Sequence, residues 1–137
     1  MDGAFTDKIH KLDVRVYYED TDFSGVVYHA NYLKFAERAR TEMLRDAGIH
    51  QAELAEIEGI LFVVRHVTLD LKKPAILDDM LSIHTIVTEA GSASLTIKQN
   101  ITRHNTLLAA LIVKIACVNK AFKVKKIPPE IKRKLSL

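Results

Sequence analysis

Between residues 11 and 19 apolar and polar side chains alternate, with Leu12, Val14, Val16 and Tyr18 set against Asp13, Arg15 and Tyr17. A period of two predicts a half-buried strand. The period then changes. Tyr32, Leu33, Ala36, Ala39, Met43, Leu44 and Ala47 recur at three- and four-residue steps, which predicts an amphipathic helix over 30–47. Lys34, Arg38, Thr41, Glu42 and Arg45 fall mostly on its other side, and Gly48 stands where a C-terminal cap belongs. A shorter helix is predicted over 51–58, ending at Gly59.

Strand patterning returns in four longer runs, 60–71, 80–89, 93–103 and 106–118. They are separated by Lys73-Pro74 with Asp78-Asp79, by Ala90-Gly91-Ser92 and by His104-Asn105. The last run is apolar on both faces and is placed centrally. Pro128-Pro129 then opens a short basic helix or tail. One strand, one long helix and a run of strands is the order of an α+β domain with an antiparallel sheet. A curved sheet of about five strands wrapped around the long helix buries both apolar faces at once. Its open edges favour pairing with another copy. With no repeat and no linker, 1–137 reads as a single domain ending in a basic segment, 120–137.

Composition narrows the class. The chain is 48% apolar and 27% charged, an ordinary globular balance. The apolar run 107–118 contains Lys114 and is far shorter than the ~20 residues of a membrane span. The first residues carry acids and no apolar block, unlike a secretory signal. The single cysteine, Cys117, cannot form an intrachain disulfide and reads as a small buried hydrophobe, so a reducing, cytoplasmic setting is expected. Net charge is +3, but 120–137 carries +6 and the remainder −3. A basic segment fits a polyphosphate ligand, an acidic protein or a solvated surface; no aromatic-interleaved pattern points to nucleic acid.

The segment richest in chemistry is Tyr18-Glu19-Asp20-Thr21-Asp22-Phe23-Ser24-Gly25-Val26-Val27-Tyr28-His29-Ala30-Asn31-Tyr32. It places carboxylates and a histidine on a glycine turn that runs into a helix start. Free N–H groups at such a start polarise a carbonyl or bind an anion. A nearby carboxylate can act as nucleophile or activate water. The competing reading makes that carboxylate a helix cap satisfying the same N–H groups. Asp20, Asp22 and His29 lack a metal-ligand spacing, so no metal is expected.

That segment, with Phe35-Ala36-Glu37-Arg38-Ala39-Arg40 and the later Leu69-Asp70-Leu71-Lys72-Lys73-Pro74-Ala75-Ile76-Leu77-Asp78-Asp79, resembles the 4-hydroxybenzoyl-CoA thioesterase superfamily. Within it, the likeness is to the YbgC-like enzymes associated with the Tol-Pal system. The resemblance spans roughly 12–123. It implies a hotdog fold, hydrolysis of acyl-CoA with no resident cofactor (coenzyme A being part of the substrate), and active sites in homodimers often paired into tetramers. It implies Asp22, the second acid of Asp-x-Asp-x-x-Gly, as the catalytic carboxylate, with Asp20 a structural neighbour. The backbone N–H of His29 matches the carbonyl-polarising position. Gly25, Val26 and Tyr28 fall beside the acyl group.

Coenzyme A carries phosphates, so basic residues at the pocket mouth are expected. Arg65, His66, Lys72, Lys73, Arg103 and the tail lysines are candidates, with Arg65 and His66 taken as substrate-binding. His10, His50 and His104 read as residues of termini or turns, and His84 as a strand residue. The competing function is a non-hydrolytic module that holds an acyl group or docks a cell-envelope or acyl-carrier partner through the basic segment. A hotdog dehydratase would need a histidine–glutamate arrangement with a proline–glycine turn, which the chain does not show.

Overall fold

A computed structural model describes residues 3–137. The elements in chain order are strands β1 (Gly3–Thr6) and β2 (Ile9–Arg15), helices α1 (His29–Asp46) and α2 (Gln51–Glu58), strands β3 (Leu61–Leu71), β4 (Met80–Ala90), β5 (Ser94–Arg103) and β6 (Thr106–Val118), and helix α3 (Pro129–Lys134). The six strands form one antiparallel sheet in the order β1-β2-β4-β5-β6-β3. With α1 supplying one side of the core, this is the hotdog arrangement.

The sheet has one strand more than the alternation foretells. β1 is only four residues long, Gly3-Ala4-Phe5-Thr6, too short to display a period. The first patterned strand also stops earlier, at Arg15 rather than residue 19. Asp20 causes this: its carboxylate accepts the Tyr17 N–H at 2.8 Å and winds Tyr18–Asp20 into a 3-10 turn. β6 lies inside the sheet between β5 and β3, as its two apolar faces require. His104 and Asn105 form the β5–β6 turn with positive φ at both residues, the hairpin geometry that matches sheet twist.

α1 buries Tyr32, Phe35, Ala36, Ala39, Met43 and Leu44. These sit at 3.6-residue spacing, and the stripe is turned slightly from the sequence reading: Phe35 is wholly buried, and Leu33 is 38% exposed. Opposite them, Leu12, Leu81, Ile83, Ile97, Ile101, Leu111 and Val113 complete a single core. Burying a side chain the size of Phe35 contributes roughly 1.5–3 kcal/mol. Within this core sits a polar clamp. Gln99, fully buried, donates from Nε2 to the Ala36 carbonyl (2.9 Å) and the Thr85 hydroxyl (3.0 Å), while its Oε1 accepts from Arg40 (2.9 Å).

Two expectations change. His10 is no terminal residue: it is fully buried on β2, with Nε2 2.7 Å from Asp46 Oδ2 at the end of α1. Gly3 passes so close to its ring that a Cβ there would collide with it. The basic segment is also only partly solvated. Ile127, Ile131 and Leu135 are buried, Ile127 N–H donates to Ser92 O (2.8 Å), and Lys134 Nζ donates to Gly48 O (3.0 Å). Residues 120–126 form a continuously exposed basic stretch. Among the described residues no helix is long and apolar enough to cross a membrane.

Candidate active site

The loop between β2 and α1 is held by its own backbone. Asp22 N–H donates to Val26 O (2.9 Å) and Gly25 N–H to Asp22 O (3.0 Å), closing a tight turn. Gly25 sits in it at φ +83°, a conformation that side chains resist. Bridges Thr21↔Val27 and Val26↔Ile76 lay the returning strand against 74–79. Asp20 holds the base of the loop, its carbonyl accepting Tyr28 N–H (3.0 Å) and Asn31 Nδ2 (2.8 Å). Its Oδ2 and its carbonyl are therefore engaged in structure.

Asp22 is used differently. One carboxylate oxygen, Oδ1, accepts the Ser24 N–H at 2.8 Å; the other has no partner among the described residues. The side chain is solvent-exposed. It does not cap α1. The residue at the N-cap position is Tyr28, no side chain caps the helix, and its first turn holds no acidic residue. The N–H of His29 has no acceptor among the described residues. An uncapped helix start with an exposed N–H is a ready hydrogen-bond donor carrying the positive end of the helix dipole.

Asp22 and this helix start share a cleft of about 290 Å³, lined also by Val26, Val27, Tyr32, Leu71, Lys72, Lys73 and Pro74. The cleft joins a free carboxylate oxygen, a donor at a helix N-terminus and two lysines. Lys72 lies 3.1 Å from Asp70, and Lys73 has no ion-pair partner among the described residues. Such a set can bind an anionic, carbonyl-bearing ligand and bring a nucleophile or base to its carbonyl. The His29 imidazole lies 4.5 Å from the Tyr28 ring, centroid to centroid, with the two planes tilted by 48°.

Of the residues singled out from the sequence, Asp22, Val26 and His29 come together here. Gly25 shapes the turn and Tyr28 stands 46% exposed beside it. Arg65 and His66 do not line this cleft: they lie exposed in the middle of β3, where a bulge interrupts the register with β6. Lys72 and Lys73 do line it, and so does Tyr32, which the helical stripe marks only as core. Each lies in the residues that carry the family resemblance, and that was the available signal. Cys117 is buried, and burial pushes its thiol pKa up, away from thiolate chemistry. Among the described residues, no group of three or more His, Cys, Asp or Glu side chains is gathered as a metal site.

Comparison with known proteins shows the family. Residues 24–110 match the family model of the thioesterase superfamily. The chain is 49% identical over 112 residues to the acyl-CoA thioester hydrolase YbgC of Escherichia coli O6:H1, covering 81% of this chain and 83% of that one. It is 47% identical over 106 residues to the acyl-CoA thioesterase YbgC of Haemophilus influenzae, covering 77% and 78%. Among solved structures, a "Probable Thioesterase" from Bartonella henselae superposes with a TM-score of 0.84 at 41% identity, covering 88% of this chain and 99% of that one.

Proposed function

The chain belongs to the thioesterase superfamily, and from that premise we propose that it hydrolyses acyl-CoA thioesters to a free acid and coenzyme A. One observation carries the mechanism: α1 begins uncapped beside a carboxylate that has an oxygen to spare. The thioester carbonyl oxygen accepts the His29 N–H, and Asp22 faces the carbonyl carbon. On one route Asp22 attacks that carbon, the C–S bond breaks with its electron pair leaving on sulfur, and water hydrolyses the resulting anhydride. On the other, Asp22 takes a proton from the water that attacks. In both, negative charge grows on the oxygen held at the helix N-terminus, where a fixed donor is worth roughly 100- to 1000-fold in rate. Lys72 and Lys73 are the cations nearest this chemistry and are suited to the coenzyme A diphosphate.

The working unit of this proposal is a homodimer. β3 is an edge strand of eleven residues with Val64, Val67 and Leu71 at 50, 39 and 51% exposure. A long apolar edge of this kind is normally covered, and pairing β3 with its copy would extend the sheet. The reaction is assigned to a reducing compartment, in keeping with the unpaired Cys117, and needs no resident cofactor. A second reading, delivery of the acyl group on an acidic carrier protein, draws on the exposed Lys120, Lys123, Lys125 and Lys126.

The test is thiol release from acyl-CoAs of graded chain length and from 4-hydroxybenzoyl-CoA, with Asp22→Asn run beside the parent protein. Turnover by the parent that disappears in the folded variant supports the proposal. A folded parent that releases no thiol from any of them sinks it.

A further inference from the structure

We propose that the hydroxyl of Tyr32 is a second donor to the thioester carbonyl, acting beside the His29 N–H; the inference deepens the thioesterase reading and rests on it. Tyr32 is 3% exposed and lines the cleft that holds Asp22 and His29. It follows His29 by three residues, so both stand on one face of α1. Helical side chains lean toward the N-terminus, which carries the Tyr32 ring back over the first turn.

The hydroxyl oxygen accepts the Ala75 N–H at 3.1 Å. Ala75 is in turn fixed to the catalytic loop, since its carbonyl accepts the Val27 N–H at 2.9 Å. The oxygen is therefore anchored, but its proton has no acceptor among the described residues. A buried hydroxyl with an unused donor is uncommon, because burial makes an unmade hydrogen bond costly. Accepting the Ala75 N–H polarises the O–H and makes it a better donor. The open space beside the side chain is the cleft where the carbonyl would sit. Two converging donors, one backbone and one phenolic, would hold the oxygen as charge develops on it.

Tyr32→Phe keeps the ring and removes the donor. The expected result is a kcat lower by on the order of 100-fold, with KM changed by less than about threefold. Unchanged kcat, or a raised KM at unchanged kcat, would overturn the inference, since a group that only pins Ala75 shapes the wall of the cleft. A spectroscopic readout separates the roles further. An acyl-CoA analogue with methylene replacing the thioester sulfur and a ¹³C-labelled ketone carbonyl reports hydrogen bonding to that oxygen. Its resonance should lie further downfield on the parent protein than on Tyr32→Phe. If the phenylalanine variant fails to fold, 3-fluorotyrosine at position 32 supplies a stronger donor, and the resonance should move further downfield; an unmoved resonance overturns the inference. A parent protein that hydrolyses acyl-CoA while Tyr32→Phe matches it leaves the thioesterase reading standing and removes this inference alone; a parent that hydrolyses nothing removes both.

Discussion

The two ends of α1 obey opposite rules. At the C-terminal end the polar groups are tied down. Ala47 N–H returns to Met43 O, Ile49 N–H to Leu44 O, and Gly48 takes the left-handed turn that closes the helix at φ +84°. Lys134 reaches in from α3 to the Gly48 carbonyl, and Asp46 holds the buried His10. At the N-terminal end no side chain caps the helix, the His29 N–H is unspent, and Asp22 keeps a carboxylate oxygen free. The same helix that seals the core at one end leaves donors and an acceptor open at the other. A helix end without caps sacrifices stability, and here the open groups are those the proposed acyl transfer would use.

The contrast breaks most sharply at Asp22. Asp22→Asn should lower kcat on the order of 1,000-fold or more while leaving the thermal midpoint nearly unmoved, because Oδ1 is still an acceptor for Ser24. A large fall in thermal stability would mean that the N-terminal end is structural after all. In the middle of the helix, Gln99→Leu should cost about 1–3 kcal/mol in urea unfolding, since Arg40, Ala36 and Thr85 lose their buried partner; no measurable loss would break the account of the clamp. At the C-terminal end, Asp46→Ala should cost about 1–2 kcal/mol by leaving His10 unpaired, with kcat unchanged. A fall in kcat there would show that the two ends are coupled. The smallest effect is expected at the cleft mouth. Lys72→Ala with Lys73→Ala should raise KM several-fold, less so at high salt, and Arg65→Ala with His66→Ala should not. The reverse outcome would return phosphate binding to the middle of β3.

Much of this was legible beforehand, for physical reasons that differ by element. α1, α2 and the four long strands carry clear periods, and their bounds come within two residues of those expected. β1 is too short to carry one, and β2 ends where Asp20 bends the chain, a contact between side chain and backbone that periodicity does not encode. His10 looked like a terminal residue because its partner, Asp46, is 36 positions away. That Asp22 and His29 would lie close together was legible through a local motif on one loop and one helix start. The rest of the cleft was harder to read, because Leu71, Lys72 and Lys73 reach it only after two intervening helices and a strand have folded. Charge alone did not distinguish Lys73 from Arg65, since both are exposed cations and only tertiary placement separates them.

The strand order also sets a timetable for synthesis. Among the described residues β3 pairs only with β6, which begins 35 positions after β3 ends. While β4 and β5 emerge from the ribosome and pair with β2 and each other, β3 waits with both edges bare. It is also the longer of the two edge strands in the finished sheet. The nascent chain is thus most exposed to mispairing in the interval before Thr106–Val118 appears. Slow codons placed just upstream of β6 would prolong that interval, and the yield of folded protein would fall with the length of the pause.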